Sequence, residues 1–150
     1  AVQWLSHPED KNLSFENRRP HPKYPNRRED MEKSLEFVKS LYNSDIPKIA
    51  IENPVGLLSS RWRKPDQIIQ PWMFGDEATK TTCLWLKNLP HLIPTNIVDK
   101  GERVKYSSGK SHPKWYADAM IKAKTKEERQ TLRSKTFPGI AKSISTQWSI

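Results

Sequence analysis

This chain of 150 residues contains one cysteine and five glycines. A lone thiol, Cys83, excludes an internal disulfide framework and offers no zinc-ligand spacing, which suits a reducing, cytoplasmic setting. With glycine only at positions 56, 75, 101, 109 and 139, no Gly-x-Gly occurs, so no glycine-rich phosphate loop is encoded. No run approaches the roughly 20 apolar residues of a membrane helix, and no signal-peptide pattern opens the chain. Apolar residues are 35% of the chain, a low share for a globular protein. Six Trp, four Tyr and four Phe stand against that figure, because disordered chains lack such aromatics. The composition describes a folded, loop-rich domain with a partner covering part of it.

What the chain has in excess is positive charge. The formal net charge is +9, with basic residues interleaved with aromatics and amides rather than gathered in a Lys tract. Such a surplus points to a polyanion, most simply nucleic acid; a solubility charge or a basic face for an acidic partner is the alternative.

Residues 1–28 are dense in Pro, Arg, His and Asn without periodicity and read as an extended basic arm or loop. Arg18, Arg19, Arg27 and Arg28 are its candidate phosphate contacts, unless the arm is merely solvated. From Glu29 onward, Met31, Leu35, Val38, Leu41 and Tyr42 recur at helical steps. This predicts a helix, with Asn26 as its cap, ending near 43–45. "KIAI" is a short buried strand, "IIQ" a weaker one, and "TTCLWL" a strong one that buries Cys83. Residues 87–111 read as loop, "KWYADAMIKAKTKEERQTLRS" as one helix, and "TFPGIAKSISTQW" as a closing helix capped by Thr136. The order implies a single α/β domain over residues 29–150.

Two stretches carry candidate chemistry. Glu52, Asn53 and Pro54 follow "KIAI", at the strand end where α/β sheets place ligands. A carboxylate there accepts two hydrogen bonds from a heterocycle edge or, alternatively, caps the N–H groups of the next loop. In "SSRWRKPDQ", Arg61, Arg63 and Lys64 flank Trp62; the Arg side chains suit phosphate or guanine and the indole suits base stacking. Asp66 and Gln67 either read base edges or fix the loop by local hydrogen bonds. His7, His21 and His112 precede Pro and, like His91, read as loop residues, so no metal site is predicted.

"IENPVG" after an apolar strand is similar to the Glu-Asn-Val signature of DNA cytosine-5 methyltransferases. "RWRKPDQIIQPWMFG", "KTTCLWLKNLP" and "TFPGIAKSISTQW" resemble bacteriophage DNA cytosine methyltransferase-like proteins, over roughly Trp4 to Trp148. The resemblance implies a class I methyltransferase-like sheet, partial or minimal, with flanking helices. It implies DNA as partner, S-adenosylmethionine as cofactor, and Glu52 holding an extruded cytosine by its ring nitrogen and amine. It also implies host cytoplasm as the location if the chain is phage-encoded. The chain departs from the family in lacking the glycine-rich cofactor loop and the Pro-Cys nucleophile, and Cys83 in a strand is no substitute. It therefore resembles the carboxyl-terminal half of that fold. A complementary half or a second copy is the implied partner. A non-catalytic DNA-binding protein and a protein-interaction module are the competing classes.

Overall fold

The computed structural model describes residues 5–149, so Trp4 and the first residues of the expected arm lie outside them. The protein is a mixed helix-and-sheet structure. Its chain divides into two compact units, Ala1–Asp66 with Cys83–Asn88, and Gln67–Thr82 with Leu89–Ile150.

In the first unit, helix α1 spans Arg27–Tyr42 and strand β1 spans Ile49–Pro54. A five-residue helix α2, Leu57–Arg61, follows at once, and strand β3, Thr82–Lys87, lies beside β1. The helical stripe read from the sequence is the one that packs. Leu35 is buried with Leu58, Cys83 and Trp85, and Val38, Tyr42, Ile51 and Trp62 close around them. Leu41 is the exception, lying on the exposed side of α1. Asn26 precedes the helix without capping it through its side chain. Its backbone is already helical, and its carbonyl accepts the Asp30 N–H at 3.0 Å. β3 is buried on both faces, as its unbroken apolar run requires.

The segment expected to be an extended arm is folded. It forms short 3-10 turns at Pro8–Asn12 and Phe15–Asn17. The reason lies in its arginines, which supply the hydrogen bonds that a structureless loop would lack. The Arg28 guanidinium donates to the Leu5, Phe15 and Arg18 carbonyls at 2.9, 3.2 and 2.6 Å, and to Ser6 Oγ at 3.1 Å. Arg18 donates to the Lys11 and Leu13 carbonyls, both at 2.8 Å.

The second unit contains strand β2, Gln67–Ile69, and the strands β4, Arg103–Lys105, and β5, Ser111–Pro113. It also holds helices α3, Lys114–Lys122, α4, Lys126–Ser134, and α5, Pro138–Gln147. The run read as loop thus holds half of an antiparallel hairpin, with Arg103 opposite Pro113 and Lys105 opposite Ser111. Gly109, at φ 77°, supplies the left-handed residue that a three-residue hairpin loop needs. The long helix expected from Lys114 is two helices. Thr125 accepts the Glu128 N–H while the Glu128 carboxylate accepts the Thr125 N–H, a capping box that restarts the helix. α5 carries Pro138 in its first turn as expected, but it begins one residue later than a Thr136 cap would place it, with Phe137 at the cap position. The Asp76 carboxylate takes the Gly139 N–H at 2.8 Å instead. Gly139 is required there because a Cβ would fall on the Phe74 carbonyl oxygen.

Candidate functional site

β1 runs through Pro54, so Glu52 and Asn53 are its last residues before the proline rather than the start of a loop. Strand alternation leaves Glu52 exposed and Asn53 half-buried. Together with Ile51 they line a cleft of about 280 Å³. Met31, Leu35 and Val38 of α1 and Leu57 and Leu58 of α2 give this cleft an apolar wall. Ser34 and Arg61 add polar groups. Its size is at the lower end of small-molecule pockets, with room for a single ring.

Among the described residues the Glu52 carboxylate has neither a hydrogen-bond nor an ion-pair partner. The loop-capping alternative for Glu52 is therefore not what the structure shows. Behind it, on the neighbouring strand, Cys83 is buried, and its thiol is pushed up from its ordinary value by burial and then by the Glu52 charge. A thiol held protonated is a poor nucleophile.

Arg61 lies at the edge of this cleft, and its guanidinium is already engaged. It stacks 4.4 Å from the Phe15 ring centre and sits 3.6 Å from the Glu16 carboxylate. Phe15 takes the Arg28 guanidinium as well, at 4.6 Å.

The remaining residues of "RWRKPDQ" are mostly structural. Trp62 stacks on Trp85 with centroids 6.1 Å apart and meets the edge of Tyr42 at 5.1 Å, so the indole belongs to the core rather than to a stacked base. Arg63 donates to the Tyr42 hydroxyl and to both Asp66 oxygens, which leaves little of its fork for phosphate. Asp66 fixes the loop, accepting the Leu86 N–H at 2.7 Å. Gln67, in the second unit, bonds the Leu92 backbone at both its amide oxygen and nitrogen, 2.8 Å each, and so reads no base edge. Lys64 is exposed.

Arg27 proves to be the first residue of α1 rather than part of the arm, exposed with its guanidinium over Tyr24 at 4.5 Å. Arg19 forks onto Asp10 and reaches Glu9. Asp10 is thereby held down to about 2, chiefly by the Arg19 side-chain and backbone hydrogen bonds. Of the basic residues singled out in the sequence, Lys64 and Arg27 are the freest to meet an anion. Sequence reasoning missed Ser34 and the α1–α2 apolar wall; the three-residue step from Met31 to Ser34 was the available signal.

The described residues supply none of the glycine-rich cradle that S-adenosylmethionine takes in the family the sequence resembles. Among the described residues, the strand-to-helix turn carrying a glycine, Val55–Gly56, leads into a helix of only five residues, and no glycine-rich loop accompanies it. Among the described residues, no group of three or more His, Cys, Asp or Glu side chains gathers as metal ligands would. No helix among those residues is long and apolar enough to cross a membrane. No family model, curated protein or solved structure matches the chain.

Proposed function

We propose that this chain is a DNA-binding part or degenerate homologue of a phage-type DNA cytosine-5 methyltransferase, working in the cytoplasm, in which Glu52 holds a base taken out of the stack. The observation that carries this reading is the Glu52 carboxylate, without a partner among the described residues, at an apolar cleft with room for one ring. A carboxylate in that position can accept from the exocyclic amine of cytosine and from its protonated ring nitrogen. Thymine places a carbonyl where cytosine places its amine, so its edge offers the carboxylate one donor, the N3–H, and one repelling oxygen. The base must be extruded to reach the cleft, since a stacked base presents no free edge of this kind. Asn53 and Pro54 hold the strand end, and the Arg61 charge at the cleft edge favours the approach of a polyanion. Methyl transfer is assigned to no residue of this chain. The donor pocket and the nucleophile fall to a complementary half or another chain.

Fluorescence anisotropy on duplexes carrying cytosine or thymine opposite an abasic site tests the reading. Such a site lowers the cost of extrusion. The wild-type protein is expected to prefer cytosine by about tenfold, the value of a hydrogen bond to a charged group. Glu52→Gln should bring the two affinities together. Equal affinities in the wild type, or a preference untouched by the substitution, would overturn the assignment.

A further inference from the structure

We propose that the β4–β5 hairpin of the second unit is a duplex-DNA contact, with the Lys105 and Lys110 side chains meeting the phosphate backbone. The inference goes beyond the Glu52 cleft and does not depend on it.

Three observations support it. The first is charge. Residues 100–116 contain Lys100, Arg103, Lys105, Lys110 and Lys114 against Glu102 alone. Lys114 is neutralised by Asp118 at 2.9 Å. Arg103 spends its guanidinium on Ser111, which leaves its charge uncompensated. Among the described residues neither Lys105 nor Lys110 meets a carboxylate, and both are exposed.

The second observation is which face is open. The pairing of Val104 with His112 puts these two, with Tyr106 and Lys110, on one side of the ribbon and Arg103, Lys105, Ser111 and Pro113 on the other. His112 is tied to α3 through Tyr116, ring centres 5.1 Å apart, so the Val104 and His112 side is the half-buried one. Arg103 and Lys105 are exposed on the other side, and Lys110, next to the turn, is exposed on the first, so the two lysines flank the tip.

The third is rigidity at the tip. Tyr106 and Lys110 are locked by a backbone hydrogen bond of 2.9 Å, and a second of 2.9 Å runs from the Gly109 N–H to the Tyr106 carbonyl. His112 meets the Tyr106 ring edge-on at 5.6 Å. A narrow, preorganised, basic two-stranded ribbon has the shape that the major groove of a duplex admits. An acidic protein surface would match the charge, but it has no groove to receive a projecting tip.

The test is the salt dependence of binding to a duplex of about 20 base pairs between about 50 and about 200 mM salt. It compares Lys105→Ala/Lys110→Ala with a control of equal charge loss, Lys126→Ala/Lys142→Ala. The hairpin pair should bind about tenfold more weakly, and its log–log salt slope should be shallower by about 2, the loss of two phosphate contacts. The control should keep the wild-type slope. An unchanged slope in the hairpin variant, an equal fall in the control, or no duplex binding by the wild-type protein each overturns the proposal. The cytosine preference measured on the same variant separates the two readings. A preference that persists while the slope does not move sinks the hairpin and leaves the Glu52 assignment standing. A slope that falls without any cytosine preference does the reverse.

Discussion

Arg63 forks onto the carboxylate of Asp66, donating from Nη1 at 3.0 Å and from Nη2 at 2.7 Å. The same carboxylate accepts the Leu86 N–H, and the Arg63 carbonyl accepts the Trp85 indole N–H at 2.9 Å. The loop after α2 is therefore tied to β3 by polar bonds on both sides of a buried tryptophan. Asp66→Ala strands the guanidinium and the Leu86 N–H together and should cost about 1–3 kcal/mol. In a chain of this size that lowers the melting temperature by roughly 2–4 °C per kcal/mol. Asp66→Asn retains an acceptor and should melt between Ala and the wild type; calorimetry that ranks Asn below Ala would refute the account.

The Asp10–Arg19 fork makes a statement about acid. A carboxyl held down to about 2 in the folded chain, against 3.8 ordinarily, favours folding at every pH above the ordinary value. That contribution is lost as pH falls from 3.8 towards 2, where the unfolded carboxyl takes up its proton first. Urea midpoints measured through that window should fall more steeply for the wild type than for Asp10→Asn. Parallel curves would show that the fork contributes nothing to folding.

Cys83 has the opposite sign. Its thiol is raised above 9.0, first by burial and then by the Glu52 carboxylate. The protonated form is preferred in the folded state, so the stabilisation is whole below 9.0 and declines as pH climbs beyond it. Cys83→Ala should flatten this alkaline loss. In the native protein a thiol reagent should react roughly a hundredfold more slowly than in denaturant, because access requires opening of β3. A rapid stoichiometric burst under native conditions would contradict the burial of this side chain.

Gly139 is the position in α5 least able to accept a side chain. A Cβ there meets the Phe74 carbonyl and the Asp76 carboxylate that caps the helix. Gly139→Ala should destabilise by about 1–3 kcal/mol through forced displacement of the helix, despite the better helix propensity of alanine. Gly56→Ala serves as the comparison, since only the Pro54 carbonyl approaches its Cβ, at 3.8 Å. Chemical denaturation should show a large shift for the first variant and a small one for the second.

Several elements were legible because their signals are local. The three- and four-residue spacing of Met31, Leu35, Val38 and Tyr42 marks α1, and unbroken apolar runs mark β1 and β3. The break at Thr125 was also written in the chain, as Thr-x-x-Glu, but the charged helical run around it masked the cap. β4 and β5 were harder to see. Each is three residues long, with polar side chains on the open face, and Ser107–Ser108–Gly109 was their chief announcement.

The sequence by itself determined the alternation of helix and strand, the burial of Cys83 and the placing of Glu52 and Asn53 at the end of β1. These follow from periodicity and from the proline that stops the strand. Only the tertiary structure decided what the arginines do. Arg28 meets Leu5 and Phe15, Arg61 meets Glu16, and Arg63 meets Tyr42, partners far away along the chain. A guanidinium satisfies a carbonyl, a ring face or a phosphate with the same planar set of donors, so residue type alone does not choose among them. The choice is made when folding brings one acceptor within reach. It leaves the Glu52 carboxylate open at its cleft while Trp62, Arg63 and Gln67 are drawn into holding the structure together.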